Sequence, residues 1–151
     1  MSSKCRNLRC LTLRGCQGIK DYELGRLVSR LDKLGHLDIT KNTVIHGYFL
    51  WSFKPGLVSL VLDECNNLSL KHLLSECRNL CCLTLRGCQG IKDYELGRLV
   101  SRLDKLGHLD ISKNTVIQGY FLRSFKPSLV SLVLDECNNL GPNICSARYA
   151  M

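Results

Sequence analysis

The amino terminus lacks an apolar leader: Met1, Ser2, Ser3, Lys4, Cys5 and Arg6 contain nothing like the hydrophobic stretch of a secretory signal. No apolar run approaches the ~20 residues of a membrane-spanning helix. The 10 cysteines include no C-x-x-C pair, and His46 and His72 have no second ligand at useful spacing, so a structural zinc is not expected. A glycine-rich phosphate loop is also missing. With no leader, the cysteines read as free thiols in a reducing compartment, cytoplasmic or nuclear. The sequon Asn67-Leu68-Ser69 is the one contrary sign, and a three-residue match is weak. No cofactor, metal or membrane is implied.

What is present is ordinary for a folded chain of 151 residues: 45% hydrophobic, 23% charged and a net charge of +8. Much of the positive charge sits at Arg26, Arg30 and Lys33 and again at Arg98, Arg102 and Lys105, spaced to face solvent on outer helices. A solvated convex face explains it better than a nucleic-acid site, and binding to a polyanion is the lesser alternative.

The chain repeats itself. Residues 5–68 return as residues 77–140 at a constant offset of 72, and 5 of the 64 positions differ: Arg9/Cys81, Thr40/Ser112, His46/Gln118, Trp51/Arg123 and Gly56/Ser128. Each swap is one nucleotide change in the genetic code, as a recent duplication leaves behind. A finer pattern, L-x-x-L-x-L-x-x-(C/N)-x-x-(I/L), begins at Leu8, Leu34, Leu57, Leu80, Leu106 and Leu129, at intervals of 26, 23, 23, 26 and 23 residues. It resembles the leucine-rich repeat. The expected fold is α/β: one domain over residues 1–151, a curved right-handed β-α solenoid of six units with a parallel sheet on its concave face and an irregular tail at 141–151.

In such a unit alternate strand residues face the core or the concave surface. Outward positions then form three columns across the sheet. The first is Cys10, His36, Ser59, Cys82, His108 and Ser131; the second is Thr12, Asp38, Val61, Thr84, Asp110 and Val133; the third is Arg14, Thr40, Asp63, Arg86, Ser112 and Asp135. Asp63 and Arg86, on neighbouring strands about 4.8 Å apart, are placed for a partly exposed salt bridge. A polar face without a large apolar patch suits a protein ligand with charged groups of its own. Cys10 beside His36 and Cys82 beside His108 superficially resemble a nucleophile and its base, with Asp38 and Asp110 beyond. An open sheet implies neither a pocket nor an oxyanion donor, so no enzyme is expected.

On the outer side, Leu24, Leu27, Val28 and Leu31 follow the i, i+3, i+4, i+7 spacing of an amphipathic helix over residues 21–31, with Asp21 as its cap. Residues 93–103 repeat it. The second unit has a shorter connection, in which Phe49 and Phe53 reach inward and Trp51 faces out, since its twin is Arg123. Ser69 is a cap candidate ahead of Leu70, Leu73 and Leu74. The end units lack polar caps, which predicts end-to-end self-association or cover by a partner or further sequence.

The residues Cys5-Arg6-Asn7-Leu8, Leu11-Thr12-Leu13-Arg14-Gly15-Cys16, Ile19, Asp21 and Leu24, with their second copy from Cys77, closely resemble the cysteine-containing leucine-rich repeats of F-box proteins. Units two and five depart from that pattern, with Asn42 and Asn114 in the cysteine slot. The resemblance covers nearly the whole chain. It implies an arc that holds a protein substrate of an SCF-type ubiquitin ligase. In that family a separate helical F-box binds the Skp-type adaptor, and through it the cullin; no residue of this chain is expected to do so. A free-standing scaffold or inhibitor is the alternative.

Overall fold

Each L-x-L stretch forms a short strand, because alternation sends its leucines into the core and the intervening residue to the other face. The computed structural model describes residues 5–53, 55–73, 77–142 and 144. Six strands, β1 (Cys10–Thr12), β2 (His36–Asp38), β3 (Ser59–Val61), β4 (Cys82–Thr84), β5 (His108–Asp110) and β6 (Ser131–Val133), make one parallel sheet in chain order. The register never slips: Leu11, Leu37, Leu60, Leu83, Leu109 and Leu132 are successive Cα partners. Backbone bonds extend the ladder past the strand ends, as where Leu62 N–H donates to Thr84 C=O at 2.9 Å and Glu64 N–H to Arg86 C=O at 2.7 Å.

After each strand the chain turns through a left-handed residue: Gly15, Lys41, Glu64, Gly87, Lys113 and Glu136 all have φ between 58° and 66°. Side chains with a Cβ resist this region, at roughly 1–2 kcal/mol each. The cysteine or asparagine that follows secures the turn. Its side chain donates to the carbonyl of the preceding unit: Asn42 Nδ2 to Leu13 (2.8 Å), Cys65 Sγ to Ile39 (3.4 Å), Cys88 Sγ to Leu62 (3.0 Å), Asn114 Nδ2 to Leu85 (2.9 Å) and Cys137 Sγ to Ile111 (3.2 Å). Burial raises the Cys65 thiol to about 11 and the Cys88 thiol to about 12, which keeps both protonated as donors. The nine described cysteines are all unbridged.

Among the described residues, the outer layer includes α1 (Asp21–Val28), α2 (Asp93–Val100) and three 3-10 turns: η1 (Tyr48–Ser52), η2 (Leu70–His72) and η3 (Tyr120–Ser124). Leu24 and Val28 of α1 are buried, and the helix closes at Ser29, whose N–H returns to Gly25 C=O, so Leu31 reaches the core from beyond it. Gly25 permits close packing of α1 on η1: a Cβ there would lie 2.8 Å from Ser52 Oγ. In η1 the expectation of inward rings holds, with Phe49 and Phe53 buried edge-to-face at 5.8 Å and Trp51 60% exposed. Ser69 precedes η2 but its hydroxyl makes no cap bond, and Leu74 lies outside the described residues.

Asp21 corrects its expected role. The start of α1 is held instead by Glu23, whose carboxylate accepts the Lys20 N–H. Asp21 reaches across to the next unit, accepting the N–H groups of His46 (2.8 Å), Gly47 (2.9 Å) and Phe49 (3.1 Å). Asp93 repeats the bridge with Gln118, Gly119 and Phe121. A carboxylate satisfying three backbone donors at the start of the neighbouring turn is a strut between units.

Candidate functional site

The three outward columns take shape as the sequence implies. In the first, Cys10, His36, Ser59, Cys82, His108 and Ser131 are in-register neighbours; in the second, Thr12, Asp38, Val61, Thr84, Asp110 and Val133 are. The third column lies just past the strands, where Arg14, Thr40, Asp63, Arg86, Ser112 and Asp135 open the turns. Cys10, Thr12, Arg14, Arg86 and Asp135 are exposed, and most of the others are half-buried.

Two members are not available for contact. Asp38 is 1% exposed and Ser112 2% exposed. Asp38 turns back on its own loop: Oδ1 accepts the Thr40 N–H at 3.0 Å and the Thr40 hydroxyl at 2.7 Å, while Oδ2 takes Arg14 Nε at 2.6 Å. Burial alone raises the Asp38 carboxyl, but the Thr40 donors and the Arg14 guanidinium outweigh it and hold the group below 3.8. Ser112 is buried because it makes the same turn with Asp110, its hydroxyl donating at 2.6 Å.

The salt bridge expected between Asp63 and Arg86 is replaced. Asp63 Oδ1 accepts the backbone N–H of Arg86 at 2.9 Å, and the Arg86 side chain extends forward to Asp110, with Nε 3.8 Å from Oδ2. Arg14 leans forward onto Asp38 in the same direction. Burial lifts the Asp63 carboxyl above 3.8 despite the Arg86 N–H. The thiol–imidazole neighbours remain adjacent in register, but His36 Nδ1 bonds Ser59 Oγ at 2.8 Å, on the side away from Cys10. Among the described residues, no group of three or more His, Cys, Asp or Glu side chains could hold a metal, and no helix is long and apolar enough to cross a membrane.

The convex side carries a feature that the sequence reading missed. His72 is buried against Tyr48 (4.8 Å between centroids) and Trp51 (4.5 Å, perpendicular), and His46 lies 6.4 Å from Tyr48. Burial, with Lys71 nearby, lowers the His72 pKa from 6.5. The only available signal was that His46/Gln118 and Trp51/Arg123, two of the 5 differences between the copies, fall together in this cluster. The outer cations Arg26, Arg30, Arg98 and Arg102 are exposed as expected, whereas Lys33 and Lys105 also tie units together by donating to Asn7 and Asn79.

A six-stranded parallel sheet built from L-x-L rungs, a short outer segment after each of the first five rungs and a ladder of Cys and Asn side chains define a leucine-rich-repeat solenoid. A solved structure agrees. A chain in the crystal structure of the yeast Rad7 and Elc1 complex superimposes with a TM-score of 0.70 at 18% identity, over 82% of this chain. The match spans about a third of that chain, 32% of its length. The leucine-rich repeat-containing protein LegL7 from Legionella pneumophila aligns over 90% of this chain and 68% of its own at 17% identity, with a TM-score of 0.39. No protein-family model matches the sequence.

Proposed function

We propose that the chain is a non-enzymatic protein-binding module, and that its concave lining is the substrate-recognition arc of an SCF-type ubiquitin ligase acting in the cytoplasm or nucleus. The observation that carries the binding reading is the lining itself: a mostly polar surface interrupted by Val61 and Val133, with carboxylates fixed by turn N–H groups and Arg14 and Arg86 exposed at 67% and 47% of their side chains. Anchored charges on a rigid sheet give orientation and specificity to a protein contact at low entropic cost. The ligase reading is supported by resemblance to the cysteine-containing repeats of F-box proteins, and by a fold neighbour crystallised in complex with a second protein, Elc1. A Skp-type adaptor and cullin would be reached through a segment or subunit other than the arc.

Affinity capture from cell extract tests both layers. An Arg14→Glu/Arg86→Glu variant should lose the captured protein, while the convex control Arg30→Glu/Arg102→Glu keeps it. The reverse pattern would overturn the concave assignment. Absence of any Skp-type adaptor among captured complexes, with the bound protein retained, would remove the ligase layer alone.

A further inference from the structure

The two halves of the interface between units three and four recur separately, at units six and one. Residues 57–68 and 129–140 are identical, and residues 5–19 differ from 77–91 at one position, Arg9 for Cys81. Unit four packs on unit three through β4 and β3, so unit one is built to pack on unit six. We propose that β6 of one copy of this chain pairs in parallel with β1 of a second copy, Ser131 opposite Cys10, Leu132 opposite Leu11 and Val133 opposite Thr12, in the register that joins β3 to β4.

The internal interface shows what would form. Cys81 and Cys82 N–H groups both donate to Val58 C=O (2.8 and 3.1 Å), Arg86 N–H donates to Asp63 and Cys88 Sγ to Leu62 C=O. Each of these groups has its twin at an end of the chain, and Arg9 preserves the backbone N–H that Cys81 uses. Leu60 and Leu83 are fully buried, whereas their twins Leu132 and Leu11 are only half-buried; Val130 is 91% exposed against 46% for Val58. Ile144, at the position equivalent to His72 of unit three, packs against the core. The contact joins different faces of the two copies, so it propagates as a head-to-tail stack that continues the solenoid.

Gly18 supplies a selective test. At Gly90, its internal twin, an added Cβ would lie 2.5 Å from Asn66 C=O of the preceding unit, whereas at Gly18 nothing lies within 4 Å. In the proposed stack Gly18 meets Asn138 of the neighbouring copy. Light scattering of the wild-type chain should show a mass rising with concentration to multiples of 17.1 kDa. Gly18→Ala should stay at one chain throughout, with unchanged melting in dilute solution. Under oxidation, Ser131→Cys should give a ladder of cross-linked multimers absent from wild type, and Cys10→Ser in that background should abolish it. A monomeric wild type, association of Gly18→Ala equal to wild type, no ladder, or a ladder that survives Cys10→Ser would each overturn the proposal.

Discussion

Units one and four are nearly one sequence in two environments. Leu80, Leu83, Leu85 and Cys88 are fully buried, while Leu8, Leu11, Leu13 and Cys16 are half-buried. Both Cys16 and Cys88 contact the carbonyl two residues back, Arg14 at 3.7 Å and Arg86 at 3.9 Å, and Cys88 also donates to the Leu62 carbonyl of unit three. Burial in this protein therefore belongs to the stack and not to the unit, which contributes an apolar edge that only its neighbours complete. Between the copies, the outer segments have drifted in chemistry, at His46/Gln118 and Trp51/Arg123, while the lining has changed only from Thr40 to Ser112.

The contrast is sharpest for a core deletion. Leu83→Ala should cost about 2–5 kcal/mol, the range for a fully buried leucine, and Leu11→Ala clearly less, because the terminal rung already meets solvent and can relax. Urea denaturation of the two variants measures the gap, and equal losses would contradict the stacking account. A smaller effect separates the turns. Glu64→Gly should stabilise by about 1 kcal/mol by relieving left-handed strain, and Gly87→Ala should destabilise by a similar amount, both read from the shift in melting temperature. The smallest effect concerns pH. Asp38, held below 3.8, contributes stability that is present above that value and lost as pH falls through its folded pKa, so Asp38→Asn should flatten the acid limb of the stability curve. Asp63, raised above 3.8, has the opposite sign: folding gains from its protonation on acidification, and Asp63→Asn should raise stability at neutral pH.

The sheet and its columns were legible because a repeat of nearly constant length leaves a parallel register little freedom. Leu11, Leu37 and Leu60 sit in equivalent slots, so their flanking residues had to align. The Cys/Asn slot was legible for the same reason. What could not be read was side-chain reach between units. Asp21 bridges to unit two instead of capping its helix, Arg86 passes Asp63 for Asp110, and Asp38 folds onto Thr40 and leaves the surface. Each outcome depends on which of several nearby donors a short carboxylate meets first. The left-handed turns were equally hidden: glycine marks them in units one and four, but lysine or glutamate occupies them elsewhere.

The lining also copies itself along the arc. Whatever chemical grip a ligand finds around Arg14, Thr12 and Asp63 is offered again by Arg86, Thr84 and Asp135, three strands or about 14 Å further on. On the proposed binding face a short ligand would thus have two nearly equivalent berths, and one carrying the same epitope twice at that distance would gain by avidity what neither berth supplies alone. Duplication of the gene would then have doubled the valency of the surface without inventing a single new contact.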